Sequence, residues 1–205
     1  MARCHTILTH VIVAWKMDQR VTIGETFLAL KLDKSVRILD VACGAGAVAQ
    51  ELVQRGYTNI DGLDSMKGYF EEAQSQKLYN ITYHNAVTPD KKLPIQDQSY
   101  DVLLCCAGFF DGLMSPRVFP ELIRITKKGG VLIWNIVEGY EDIPGDFKYY
   151  DQIIDELRGS KHWDYLIPRQ CMKRIVFSDS GAAFLGGYAG AGLDARGYIY
   201  TMTRL

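Results

Sequence analysis

The densest chemical signal in the chain is Asp40-Val41-Ala42-Cys43-Gly44-Ala45-Gly46. An apolar run ends in a carboxylate and passes at once into a Gly-x-Gly turn. Glycine lets the backbone reverse sharply, and without side chains a ligand can lie against the main chain. Asp64 stands 20 residues beyond Gly44, where the next apolar run ends. A carboxylate in that position accepts hydrogen bonds from the two hydroxyls of a ribose. Turn and carboxylate together point to a ligand built on a nucleoside.

Two such ligands compete. Gly44-Ala45-Gly46-Ala47-Val48-Ala49 satisfies the dinucleotide pattern G-x-G-x-x-A, so an NAD(P)-dependent oxidoreductase is one reading. A pyrophosphate, however, is best served by helix N-terminal amides with no carboxylate opposite. S-adenosylmethionine carries an ammonium and a sulfonium, which acidic groups and carbonyl oxygens attract. Asp40, directly before the turn, therefore favours the methyl donor, whose product is S-adenosylhomocysteine.

These residues need a sheet whose strand ends converge on the turn. Val36–Val41 is a short apolar run rich in β-branched residues. A helix is predicted over 47–55, with Val48, Leu52 and Val53 on one face and Gly56 as its stop. Strands predicted over 59–64, 81–85, 100–107 and 131–137 alternate with helices over 67–78 and 116–126, the latter with Pro116 in its first turn. Gly129-Gly130 is expected to turn the chain into the fifth strand. Such alternation builds a parallel sheet with crossover helices. Beyond Glu138 aromatics and charges increase, with a helix over 146–158 and closing strands over 174–178 and 197–203. The expected fold is α/β: a seven-stranded, mostly parallel sheet with helices on both faces. The glycine-rich stretch 181–192 reads as a loop, because no strand-turn-helix context supports phosphate binding there.

A length of 205 residues suits one domain over 1–205. Within it, residues 1–35 are expected to form an N-terminal helical lid region, 36–137 a cofactor-binding core, and 138–205 an acceptor-side insert with the closing strands. Hydrophobic residues at 48% can bury a core, and a net charge of -1 speaks against general nucleic-acid binding. Five cysteines without a C-x-x-C pair suggest no disulfide framework, hence a cytoplasmic location. His5, His10, His84 and His162 show no ligand spacing, so no metal is expected. The apolar run Ile7–Trp15, broken by His10, is too short to cross a bilayer. A helix packed on the core is expected there rather than a signal peptide, and no membrane partner follows.

The phrase ILDVACGAG resembles motif I of the class I methyltransferases. Asp64-Ser65-Met66 resembles the ribose and adenine segment of that family, and Asn85-Ala86 stands where the family often has Asp-Ala near the adenine amino group. Leu93-Pro94 with Ser99-Tyr100-Asp101-Val102 resembles the approach to the fourth strand. Pro120-Glu121-Leu122, Arg124-Ile125-Thr126 and Gly129-Gly130 resemble the helix and turn before the fifth. The resemblance runs from about Val36 to Val137. It implies a Rossmann-like fold and S-adenosylmethionine as cofactor. The binding set it implies is Asp40, Ala42, Cys43, Gly44, Gly46, Asp64, Ser65, Met66, Asn85, Ala86 and Cys106. More narrowly, DVACGAG, FPELIRITKKGG and GYIYTMTR are similar to the methyltransferase-like family named for the Williams–Beuren chromosomal region. That family tends to open with an aromatic Y-D-x-W-A-x-x-Y segment over the cofactor. This chain has Trp15-Lys16-Met17-Asp18 instead. The altered segment keeps open a binding module that holds the cofactor without catalysis. Asn85 replaces the usual acid with an amide, whose oxygen still accepts from the adenine amino group.

Methyl transfer needs an acceptor held in line with the departing sulfur, and a base only where the acceptor must lose a proton early. Catalytic side chains are therefore not assigned, and the acceptor is a small molecule or a protein. After the fourth strand come Gly108-Phe109-Phe110-Asp111 rather than [ND]-P-P-[YFW], which argues against adenine or glutamine amide methylation. Phe109 and Phe110 either face the acceptor or fill the core. Asp111 is more readily a cap or a solvated acid than a base. His162 reads as a surface histidine, and His84 as pointing outward from its strand. Trp134, Tyr140 and Trp163 either line an acceptor pocket or pack the insert.

Overall fold

The computed structural model describes residues 23–110, 112–176 and 194–205. A first helix, α1, covers residues 23–29 and buries Ile23 and Phe27, the latter edge-on against Tyr57 with ring centroids 4.7 Å apart. The sheet strands are β1 (Ile38–Val41), β2 (Ile60–Asp64), β3 (Thr82–His84), β4 (Tyr100–Cys105), β5 (Thr126–Val137), β6 (Trp163–Val176) and β7 (Asp194–Arg204). They lie in the order β3-β2-β1-β4-β5-β7-β6. Pairing is parallel from β3 to β5, while β7 runs antiparallel to both neighbours. The fold is therefore a seven-stranded, mostly parallel α/β sheet closed by one antiparallel hairpin.

The crossovers carry α2 (Ala47–Gln54), α3 (Lys67–Ser75) and α4 (Phe119–Ile125), and α5 (Tyr150–Gly159) precedes the hairpin. From β1 the chain steps outward to β2 and β3, then returns across β1 to β4 and β5. Right-handed crossovers in opposite directions put α2 and α3 on one face and α4 on the other. The reversal falls between β1 and β4, where open α/β sheets leave a crevice at their carboxyl ends.

Several boundaries differ from expectation, for physical reasons. The segment over 116–126 opens as a 3₁₀ turn, Pro116–Val118, and becomes α-helical at Phe119. Pro120 lacks an N–H, which is harmless in the first turn of α4 but not within a longer helix. Gly129-Gly130 does not break the strand. β5 starts at Thr126 and accommodates the pair as an irregularity, its register against β4 shifting between Tyr100 and Val102. Gly130 is crowded: a Cβ there would stand 2.8 Å from the Lys127 carbonyl oxygen and 2.9 Å from that of Asp101. Backbone oxygens cannot yield as side chains do, so Gly130→Ala is expected to destabilise the fold by about 1 to 3 kcal/mol, read by urea denaturation.

β6 begins at Trp163, eleven residues before the predicted closing strand at 174. Pairing with β7 draws the aromatic stretch into the sheet: Trp163 lies opposite Arg204 and Tyr165 opposite Met202. Trp134 of β5 stacks between Trp163 (5.2 Å, 13°) and Tyr200 (5.1 Å, 4°), and its indole N–H donates to the Tyr150 hydroxyl. Burial and stacking of these large rings build an aromatic core at this end of the sheet. Residues 1–22, including Ile7–Trp15 and the expected lid, lie outside the described residues, as does the stretch 181–192.

Candidate nucleoside site at the strand ends

A cleft of about 190 Å³ opens at the carboxyl ends of β1 to β4, over the switch point between β1 and β4. Ala42 closes it after β1, and Leu63, Asp64 and Ser65 after β2. Asn85 to Thr88 form the wall beyond β3, and Ala107 with Gly108 the wall beyond β4. Gly112, Leu113 and Met114 complete it, with Tyr69 from α3. Asp64 is the one formally charged side chain among the described residues that line it.

The glycine turn is built from alternating left-handed steps: Ala42 (φ 54°), Gly44 (φ 53°) and Gly46 (φ 86°). Gly46 then starts α2, with its carbonyl accepting from the Gln50 amide at 2.9 Å. A side chain at Gly46 would meet Leu78, 2.6 Å from its Cδ1. The left-handed conformation favours glycine there, and any side chain would also have to displace the end of Leu78.

Three buried carboxylates on β1 and β2 do different work. Asp64, 7% exposed, is tied at both oxygens: Oδ2 accepts from the Gly44 amide and Oδ1 from the Met66 amide, each at 2.8 Å. It thus locks the turn after β1 to the turn after β2. A carboxylate offers about four lone-pair sites, so two remain for hydroxyl donors in the cleft. Asp61, 1% exposed, lies near the amino ends of the strands, where it binds Arg37, Tyr100 and the Ile81 amide.

Asp40, also 1% exposed, is not brought into the cleft lining. It lies beneath the turn and accepts from the Tyr79 hydroxyl at 2.8 Å. The Tyr79 ring crosses β2 at Gly62, where a Cβ would be 3.0 Å from it. Gln76 adds a bond from Nε2 to the Ala45 carbonyl at 3.2 Å. The connection from α3 to β3 therefore supports the glycine turn from below. Burial, then the Asp40 charge, push the Tyr79 phenol well above its ordinary value.

Tyr79→Phe is expected to cost about 1.5 to 3 kcal/mol, since it removes a hydrogen bond to a buried charge. Below about pH 10, the ordinary tyrosine value, the hydroxyl is protonated in both folded and unfolded chains, so its contribution is constant. Above it only the unfolded chain ionises, and stability falls. Urea melts of both proteins between about pH 8 and 11 check this: the wild type should lose stability more steeply, by about one proton.

Of the residues expected to bind cofactor, Ala42, Asp64, Ser65, Asn85 and Ala86 line the cleft. Cys43, Gly44, Gly46 and Met66 shape its turns, and Cys106 is buried one residue past β4. Phe109 and Phe110 are core residues. Phe109 packs on Phe119 at 4.8 Å, 6.4 Å from Trp134. Trp134, Tyr140 and Trp163 are likewise buried in the aromatic core rather than lining this cleft. His162 is exposed just before β6. His84 is exposed and contacts the Ser65 carbonyl at 3.1 Å through Nε2. Asp111 lies outside the described residues. Sequence reasoning missed Tyr69 on α3, Val87, Thr88 and the 112–114 segment, because neutral side chains there carry no motif. Among the described residues, no group of three or more His, Cys, Asp or Glu could hold a metal, and no helix is long and apolar enough to cross a membrane.

Comparisons with known proteins agree with this geometry. A family profile described as a methyltransferase domain matches residues 38–130. Human methyltransferase-like protein 27 is 36% identical over 98 residues, covering 48% of this chain and 39% of that protein. The ubiquinone/menaquinone biosynthesis C-methyltransferase UbiE of Campylobacter jejuni is 30% identical over 129 residues, covering 59% of this chain and 51% of that protein. The chain thus spans about half or less of the length of these relatives. Haemonchus contortus phosphoethanolamine N-methyltransferase 2, solved in complex with S-adenosyl-L-methionine, superposes with a TM-score of 0.61 at 15% identity, over 92% of this chain and 52% of that one. The sheet order and the cleft at its switch point give the chain the Rossmann-like fold of the class I methyltransferases, and residues 38–130 match the methyltransferase-domain profile.

Proposed function

We propose that the protein is an S-adenosylmethionine-dependent methyltransferase whose acceptor is a small molecule or a protein. One observation carries this reading. The cleft over the switch point has a single charged side chain among its described lining residues, the carboxylate of Asp64, with both oxygens already oriented by turn amides. A ligand with a ribose diol and a net positive charge fits that lining. A dinucleotide would bring a doubly charged pyrophosphate, and the described lining offers no Lys, Arg or His to neutralise it.

The residues present suit the cofactor along its length. Asp64 would accept from the ribose hydroxyls, and Ser65, Asn85 and Ala86 would border the adenine. Ala42 and the Gly44–Gly46 turn would carry the remainder. Asp40, Cys43, Met66 and Cys106 would serve by shaping the turns rather than by contact through charge. When bound, the cofactor supplies a methyl group on a positively charged sulfur. The protein's contribution is to hold the acceptor in line and to exclude water, and such positioning supplies about 7 to 11 kcal/mol. The narrower kinship to the Williams–Beuren-type family rests on the phrases DVACGAG, FPELIRITKKGG and GYIYTMTR.

The test is transfer of label from S-adenosylmethionine carrying a labelled methyl group into metabolite and peptide pools, with Asp64→Ala as control. The expected result is incorporation by the wild type that the variant loses. Binding without incorporation in any pool would instead identify a module that holds the cofactor without turnover.

A further inference from the structure

The cleft wall above β4 is held in an uncommon backbone conformation by a side chain outside the cleft lining. Ala107 has φ 58°, in the left-handed region that non-glycine residues rarely occupy. Gly108 beside it leaves no room for a methyl: a Cβ there would stand 2.5 Å from Met114 Cε and 3.1 Å from Ala42 Cβ. The Ala107 amide donates to Asn135 Oδ1 at 2.8 Å, and both residues are only 2% exposed. Asn135 reaches this amide because β5 continues beyond β4. Cys105 ends β4 opposite Trp134, and Asn135 is one residue further on.

The direction of this bond matters. β4 lies between β5 and β1. The Cys106–Ala107 peptide is not cis, so its carbonyl points opposite to its N–H. With the N–H held by Asn135 on β5, the peptide plane is fixed, and with it the Ala107–Gly108 backbone that lines the cleft. A left-handed step at a buried non-glycine residue persists only when its surroundings enforce it, and such steps cluster at ligand sites. Ala42, across the cleft after β1, makes the same kind of step at φ 54°.

We propose that Asn135 is a positioning residue for the amino-acid end of the bound nucleoside. By holding the Ala107 N–H it fixes the left-handed step that sets the Ala107–Gly108 backbone along the cleft wall at that end. The proposal rests on the reading of the cleft as an S-adenosylmethionine site. With Asp64 at the ribose and Asn85 at the base, the sulfur and ammonium fall toward β1 and β4. A backbone carbonyl oxygen directed there meets a cation with its negative end.

Calorimetry with two probes tests this without an acceptor. S-adenosylhomocysteine has the amino-acid end; 5′-methylthioadenosine keeps the nucleoside and sulfur but lacks it. For Asn135→Ala, affinity for S-adenosylhomocysteine is expected to fall about 10-fold, while that for methylthioadenosine stays within about 2-fold of wild type. Asn135→Leu, which fills a similar volume without an acceptor, should give the same split and guards against an effect of the space alanine leaves. Ala107→Gly on the Asn135→Ala background should restore most of the lost affinity, because glycine adopts the left-handed step freely. Equal losses for both probes, or no loss for either, would overturn the proposal. A wild-type protein that binds neither probe would overturn the reading of the cleft itself, and the proposal with it.

Discussion

Replacing Asp64 by alanine is expected to weaken S-adenosylhomocysteine binding by about 10²-fold or more. Under the proposed function the side chain has two duties in the same place. Its oxygens accept from the Gly44 and Met66 amides at 2.8 Å and so fix the two turns that floor the cleft. Its remaining lone pairs face the space where a ribose diol would lie. Hydrogen bonds to a charged group contribute about 1.5 to 3 kcal/mol each, so loss of two ligand bonds alone accounts for the expected factor. Asp64→Asn is not a mild alternative. An amide has one acceptor oxygen and would present its NH₂ to one of the two turn amides. It should therefore bind poorly as well, although it preserves shape. Calorimetry on both variants, with circular dichroism to verify the fold, reads this outcome.

Replacing Asp61 by alanine is expected to have the largest effect on stability, about 3 to 5 kcal/mol. Asp61 Oδ2 accepts from Arg37 at 2.7 Å (Nη2) and 3.1 Å (Nε) and from the Tyr100 hydroxyl at 2.8 Å. Its Oδ1 accepts from the Ile81 amide at 3.0 Å. Arg37 also lies over the Tyr100 ring, 4.6 Å from its centroid. The carboxylate thus ties the entry to β1, the first residue of β4 and the approach to β3 to one point on β2. Alanine would leave a guanidinium, a phenol and an amide without their common acceptor. For a domain of this size the loss corresponds to a melting temperature lower by roughly 6 to 20 °C. Asp61 is at the end of β2 remote from the cleft, so the folded variant should bind S-adenosylhomocysteine nearly as the wild type does. That contrast with Asp64, three residues away on the same strand, separates anchoring the sheet from holding the ligand. Thermal melts and calorimetry on the pair measure it.

The parallel core and its cleft were legible in the sequence because both rest on local signals. The β-branched run ending at Asp40, the Gly44 and Gly46 turn and the spacing to Asp64 each state a backbone geometry that leaves few alternatives. Parallel strands buried on both faces also read as largely apolar runs, as Ile38-Leu39 of β1 and Val102–Cys105 of β4 do. What was not legible depends on partners distant in the chain. Asp40 beside the turn looks like a charge aimed at the ligand. Its partner is Tyr79, 39 residues away, and nothing in the Leu78-Tyr79-Asn80 segment signals that contact. Asp61 within the apolar run before Asp64 gave no sign of its bonds to Arg37 and Tyr100. Trp134 and Trp163 left acceptor lining and core packing both open, because aromatics serve both purposes. The pairing of β6 with β7, invisible to periodicity, commits both indoles to the core.

The most direct test of the central claim is a parallel calorimetric titration of the wild-type protein with S-adenosylhomocysteine and with NADH. Saturable binding of the first, lost in Asp64→Ala, with no heat from the second, is the expected result. Binding of NADH with no response to S-adenosylhomocysteine would contradict it.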